Sequence, residues 1–444
     1  VIRIANGQGF WGDWLEAPVR LIEEGPLDYL TLDYLAEVTM SILQKQKEAD
    51  PALGYARDFP PLIARIARQI RARGVKVIAN AGGVNPVACA EAVRAGAPGL
   101  KVAVVLGDDV FARLGEFQGK GYDMRDMDTG EPLAAIRGRI LSANAYIGAF
   151  PLAEALSTGA DVVIAGRSTD TALALAPMIH RFGWQEQDWD RLAAGAVAGH
   201  IIECGAQATG GNCQVDWQEI PRMEAIGYPI VEAERDGSFT VTKHPASGGR
   251  VHSDIVKEQL LYELGDPRNY ITPDCVADFT TIRLDDSDEN RVRVSGIRGR
   301  PRPPSLKLSI SYSNGWKATG TLVYSRPQAL EKARAADRIV RARLAALGLV
   351  FERIHTEYLG ASACHGNLAP VLPDYPEVQV RIGVRGQDRN AVDRFTRELI
   401  PLVLNGPPGA TGFGEGRPPV REIVAYWSTL IPREEIATRV EVVE

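Results

Sequence analysis

Three residues in one short segment carry the chemistry of a reaction centre: His200, Glu203 and Cys204. On a helix, residues three and four apart share a face, so imidazole, carboxylate and thiol project together. Such a face supplies a general acid or base, a pair of metal ligands, or a thiolate poised by histidine. The plainer reading is a hydrogen-bonded core histidine beside a helix-ending Glu and an inert Cys. A second set of polar residues follows short apolar runs along the chain: Asn6, Asp33, Asn80, Asp108 with Asp109, Asn144 with Tyr146, and Arg167, Ser168 and Asp170. Most stand beside glycine, which lets a backbone approach a ligand closely, and ahead of helices whose N-termini favour anions. Each alone reads equally well as turn or cap chemistry. Together they describe a crevice for a small anionic metabolite, in which Asp170 works with Glu203 and His200.

A third constellation is the stretch from Lys243 to Arg250, rich in glycine and cationic at both ends. Lys243 and the backbone N–H groups of Ser247, Gly248 and Gly249 suit a phosphate or carboxylate. The order of residues is not that of a nucleotide-binding phosphate loop. Gly7, Gly9 and Gly12 have the spacing of a dinucleotide fingerprint, but Phe10 and Trp11 between them would crowd a pyrophosphate. No organic cofactor is expected. Asp108, Asp109 and Asp170 could converge on Mg²⁺ through oxygen ligands, although aspartates at strand ends also cap helices. Five scattered cysteines without CxxC spacing indicate reduced thiols, a cytoplasmic compartment and no structural zinc.

The elements that must position these residues fall into two rhythms. In the first half, apolar runs at 2–5, 29–32, 75–79, 101–106 and 161–165 alternate with helical patterns such as 61–73. Continuous apolar strands are buried on both faces, so this is an α/β domain with a mainly parallel sheet covered by helices, assigned to residues 1–220. The strand-end polar residues then cluster where open sheets bind ligands, beyond the strands' carboxyl ends. His200, Glu203 and Cys204 lie on a helix expected over 192–206. Residues 221–444 read as an α+β domain with a mainly antiparallel sheet. Its expected strands are 277–284, 292–297, 306–312, 317–324, 352–358, 378–384 and 422–428, with helices over 327–347 and 391–404. Ser313-Asn314-Gly315 has the signature of a tight hairpin between two of those strands. The Pro/Gly-rich stretch 406–419 is expected as a functional loop.

A formal charge of −6 with no basic stripe excludes a nucleic-acid footprint. No apolar run reaches the roughly 18 residues that span a bilayer, so neither nucleic acid nor membrane is an expected partner. A homo-oligomer is expected.

Several longer stretches carry a resemblance to a known family. They are residues 6–13, 144–149, 159–170 and 182–184, then 199–207 with Gly210-Gly211, Gly248-Gly249 leading to 258–263, and 406–409. Together they resemble the acyclic terpene utilisation (AtuA-like) family over nearly the whole chain. The resemblance implies an enzyme acting on acyl-CoA thioesters in branched-chain or acyclic terpenoid catabolism, with hydratase- or lyase-type acid–base chemistry. It equally admits a non-catalytic acyl-CoA-binding subunit of a larger catabolic enzyme. Many relatives add a small C-terminal ferredoxin-like domain, so a small partner subunit of that shape is expected here.

Overall fold

The computed structural model describes residues 1–412, 414 and 416–443. Within the expected loop 406–419, residues 413 and 415 therefore lie outside the described residues. The chain divides into two compact units, Val1–Ser311 with Tyr426–Glu444, and Tyr312–Ala425.

The first unit is built on a ten-stranded sheet. Its strands are β1 (Ile2–Asn6), β2 (Tyr29–Leu32), β3 (Lys76–Ala79), β4 (Val102–Leu106), β5 (Val162–Ala165), β6 (Ile230–Ala233), β7 (Phe239–Thr242), β8 (Arg283–Asp288), β9 (Arg291–Ser295) and β10 (Arg439–Val443). Across the sheet they run β8-β9-β7-β6-β1-β2-β3-β5-β4-β10. The five strands from β1 to β4 in that order are parallel. Every pairing outside them is antiparallel.

The central strands are apolar on both sides because both sides are covered. Along β4, Val102 and Val104 join one core while Ala103 and Val105 join the other. The helices Ala17–Glu24, Phe59–Arg73 and Pro86–Gly96 cover the first face. Phe150–Ser157, α1 (Ala172–Phe182) and α2 (Trp189–Ile202) cover the second. Thus β1, β2 and β3 lead to helices on one face, and β4 and β5 to helices on the other. The connections part between β3 and β5, and a crevice opens there at the carboxyl ends of the strands.

A three-stranded sheet of Tyr270–Ile271, Val276–Asp278 and Arg298–Arg300 packs beside α2. In the second unit, the later part of the long strand Ser305–Ser325 pairs antiparallel with Glu377–Gly386, which pairs with Arg353–Leu359. The helices Ala329–Ala346 and Arg389–Leu399 pack on this sheet. That is the expected α+β arrangement. Among the described residues no helix is long and apolar enough to cross a membrane.

Four expectations need correction. The division between units does not coincide with residue 220, because β6 to β9 extend the first sheet beyond β1 instead of founding a second domain. The hairpin at Asn314-Gly315 does not form, and 305–325 is a single strand. Gly315 serves a close approach: a side chain there would meet the Gly386 carbonyl oxygen at 2.7 Å. The expected strand 277–284 is interrupted by a 3₁₀ turn at Phe279–Thr281, which divides it between two sheets. The expected helix 391–404 is two helices, Arg389–Leu399 and Leu402–Asn405, separated at Pro401, which has no N–H to donate.

Candidate functional site

A cavity of about 750 Å³ lies at this crevice, lined among others by Trp11, Asp33, Glu37, Arg167, Asp170 and Glu203. It is assembled from loops that follow β1, β2 and β5 and from the end of α2.

Asn6, at the end of β1, donates to the carbonyls of Ile202 (2.9 Å) and Glu203 (2.8 Å) and accepts from the Thr31 hydroxyl. It therefore fixes the last turn of α2 against the sheet. Gly9 is needed for the same junction, since a Cβ there would stand 3.1 Å from the Cys204 backbone. A side chain at Gly7 would meet Pro18 at 2.9 Å. These two glycines of the dinucleotide-like spacing thus make room for neighbouring chain.

Glu203 stands at the C-terminal end of α2 and faces the cavity. Its carboxylate lies 2.9 Å from Nδ1 of His200, as the helical spacing predicts. His200 is buried behind it, in contact with the rings of Tyr270 and Phe279. The Tyr270 hydroxyl lies 3.3 Å from the same Nδ1. Burial disfavours the imidazolium, but the bond and charge of Glu203 outweigh it, and His200 is pushed above its ordinary pKa. Burial also raises Glu203, against the pull of His200 and with the help of the Asp170 charge. Cys204, expected on the same helix, lies beyond its end at Ile202 and behaves differently. Burial, with the Glu203 charge beside it, pushes the Cys204 thiol up to about 12, so it is no thiolate near neutrality.

Arg167 and Asp170 follow β5 and pair at 3.0 Å. The Arg167 guanidinium is buried, donates to the Leu35 carbonyl and lies over the Tyr146 ring at 4.2 Å. The Tyr146 hydroxyl donates to Glu37, and Lys307 covers the ring at 4.8 Å. Arg167 thus answers several protein groups, while its Nε is buried without a partner and the residue lines the cavity. Burial raises the carboxyls of Asp33 and Asp170, with Arg167 opposing in both cases. Asp33 is also held by Asn80 Nδ2 (2.7 Å) and the Leu35 N–H (3.2 Å).

The other expected residues are placed as follows. Asn80 accepts from the Tyr34 N–H at 2.7 Å and braces Asp33. Asp108 accepts from Asn144 (3.0 Å) and from the Arg167 N–H (2.7 Å), tying three strand ends together behind the cavity. Burial pushes Asp108 up to about 7. Ser168 is buried and bridges to Ile147. None of Asn6, Asn80, Asp108, Asn144 and Ser168 lines the cavity. Asp109 is exposed and accepts from the Phe111 N–H, so the three aspartates proposed for Mg²⁺ do not converge. Among the described residues no group of three or more His, Cys, Asp or Glu is arranged to hold a metal ion. Lys243 and Ser247 lie away from the cavity. Gly248 N–H donates to Ala225 and Gly249 N–H to Pro221, so the expected anion nest is closed by its own backbone.

Asp33 and Tyr146 stood among the strand-end residues without being carried into the expected site, and Glu37 and Lys307 were not reached at all. Glu37 and Lys307 carry no local signal.

The comparison with curated proteins found no match, and the comparison with solved structures found none. The family model described as "Acyclic terpene utilisation family protein AtuA" matches residues 2–442. Because that match covers the chain almost end to end, the chain belongs to the acyclic terpene utilisation family.

Proposed function

We propose that the cavity carries out acid–base chemistry on an acyl-CoA thioester of acyclic terpenoid or branched-chain catabolism, adding or removing water. The observation that carries this reading is the convergence on one cavity of Glu203, backed by His200, with Asp170, held by Arg167. Burial raises both carboxyls above their ordinary range, which favours keeping a proton on one of them while the other accepts one. In a dehydration, Glu203 would take the proton next to the thioester carbonyl, and the protonated Asp170 would give its proton to the departing hydroxyl. Hydration is the reverse. The cavity is lined by more carboxylates than cations, which favours an uncharged reacting group and keeps phosphates outside.

The test is turnover on a panel of 3-hydroxyacyl and 2,3-unsaturated acyl-CoA thioesters, with Glu203→Gln as the control. Loss of a general acid or base lowers the rate about 10²–10⁴-fold, and the variant should keep the melting temperature of the parent. Full activity in Glu203→Gln removes the residue from the mechanism. Tight acyl-CoA binding without turnover, even by the unaltered protein, favours a non-catalytic acyl-CoA-binding subunit.

A further inference from the structure

In the cavity, buried charges form the floor and exposed apolar side chains stand at the mouth, against the usual order of polar outside and apolar inside. Asp33 and Arg167 on the floor are 5% and 3% exposed. Phe10, Val38 and Tyr262, which line the same cavity, are 60%, 50% and 40% exposed. They come from three separate segments. Phe10 is on the loop after β1, Val38 is in the first turn of the helix Glu37–Ala49, and Tyr262 follows the helix Ser253–Leu261. Two neighbours continue the apolar surface beyond the cavity. Ile42, one turn after Val38 on the same helix face, is 45% exposed, and Leu261, beside Tyr262, is 70% exposed. Asn212 and Glu263 are also exposed on the wall, so the mouth is apolar on part of its circuit. Exposed apolar side chains scattered singly are ordinary, but several around one opening mark a surface that something apolar covers.

The shape of the cavity says what covers it. On the inner side of Asp33, Asp170 and Glu203, the gap bounded by Asn6, Thr31 and Leu173 has no room for a water molecule. A hydrocarbon chain cannot pass inward beyond the carboxyls. A substrate whose reacting carbons reach Glu203 and Asp170 must therefore send both of its ends out through the mouth. One end of an acyl-CoA is anionic and strongly hydrated. The other is a hydrocarbon, which gains by leaving water.

We propose that Phe10, Val38 and Tyr262 form an open platform for the aliphatic chain of the substrate and so determine its specificity. The assignment rests on the acyl-thioester reading of the cavity, but not on which residue moves the proton. A platform open to water has no end wall, so it selects apolar chains without fixing one length. Full burial of a methylene strengthens binding about fourfold, and contact on one side alone gives about twofold.

The experiment is calorimetric titration of the full chain with acetyl-, butanoyl-, hexanoyl- and octanoyl-CoA, on the parent and on the double variant Phe10→Ser/Val38→Ser. Parent affinity should rise about twofold per methylene. The double variant should lose at least half of that dependence on a logarithmic scale, and bind acetyl-CoA as the parent does. Equal affinity of the parent for every chain length, or no binding of any, overturns the proposal. So does an unchanged dependence in a double variant that keeps the parent's melting temperature. Should the double variant fail to fold, Tyr262→Ser alone must reduce the dependence for the proposal to stand. Sedimentation adds a further check: a dimer of the parent that the substitutions dissociate assigns the mouth to a second copy and overturns the proposal. Chain-dependent binding without turnover sinks the acid–base reading and leaves this one standing, and turnover without chain dependence does the opposite.

Discussion

Arg167 is the residue on which the electrostatics of the cavity turn. Its guanidinium answers Asp170, the carbonyl of Leu35 and the face of Tyr146 at once, and its charge opposes the protonation of Asp33. Removing one partner of a fully buried ion pair destabilises by about 3–5 kcal/mol, an upper bound here because the Asp170 side chain is 38% exposed. Arg167→Met should therefore destabilise strongly at pH 8, where the nearby carboxyls are ionised. It should do so much less at pH 5, where their raised proton affinity lets them stay neutral. Urea unfolding at both values checks this, and an equal loss at each would show that Arg167 acts by packing alone. The spacing that links His200 to Glu203 was legible because residues three apart on a helix must meet. The functions of Asn6, Asn80 and Asp108 were not. Their positions at strand ends were read correctly, but their partners Glu203, Asp33 and Arg167 lie 197, 47 and 59 residues away. A side chain already bonded across such distances is scaffold, and only the fold reveals that it is taken.

At the scale of elements, the site depends on how closely α2 lies against its neighbours, since Glu203 stands at its end. A Cβ at Gly199 would come within 2.7 Å of the Thr171 backbone, which cannot retreat without moving the start of α1. A Cβ at Gly195 would instead meet the tip of the Leu175 side chain at 2.4 Å, which a rotamer change can relieve. Gly199→Ala should thus cost about 1–3 kcal/mol by overpacking and lower turnover as Glu203 is displaced. Gly195→Ala should be milder in both respects. Paired urea curves and rates check the order, and the reverse order would mean that α2 is free to shift. The same contrast explains what could be read of the fold. The run Tyr29–Leu32 was placed to the residue because all four of its residues are buried and Asp28 and Asp33 bound it. The strand Ser305–Ser325 was misread as a hairpin because Asn314-Gly315 is a local signal. The ladder of ten paired residues from Trp316 to Ser325 against Glu377–Gly386 is not local. β6 and β7 fell within the stretch assigned to a second domain and were not recognised as strands, because nothing in their composition says which sheet they complete.

For the molecule as a whole, the buried acids set a direction for stability against pH. Asp33, Asp108, Asp170, Glu203 and Asp274 are all raised by burial, Asp108 to about 7 and Asp274 to about 6. An unfolded chain releases these protons near pH 4, while the folded protein keeps them to higher pH. Between those limits the native state binds more protons than the unfolded state, so stability must fall as pH rises. His200 adds to the same trend: its raised value stabilises fully below the unfolded imidazole range, and that contribution is lost as pH climbs through its folded pKa. Acids held low in the fold, such as Glu37 and Asp126, act in the opposite sense and weaken the protein only as pH drops below their ordinary range. The optimum should therefore lie on the acid side of neutrality. Asp108→Asn keeps a neutral acceptor for Asn144 and the Arg167 N–H while removing one titration. It should flatten the decline between pH 5 and 7 by on the order of 1.4 kcal/mol per pH unit. Urea unfolding across that range measures both slopes. A parent protein whose stability rises steadily to pH 8 would mean that these carboxyls ionise freely in the fold. The proton that the proposed chemistry requires near neutral pH would then have no residue to hold it.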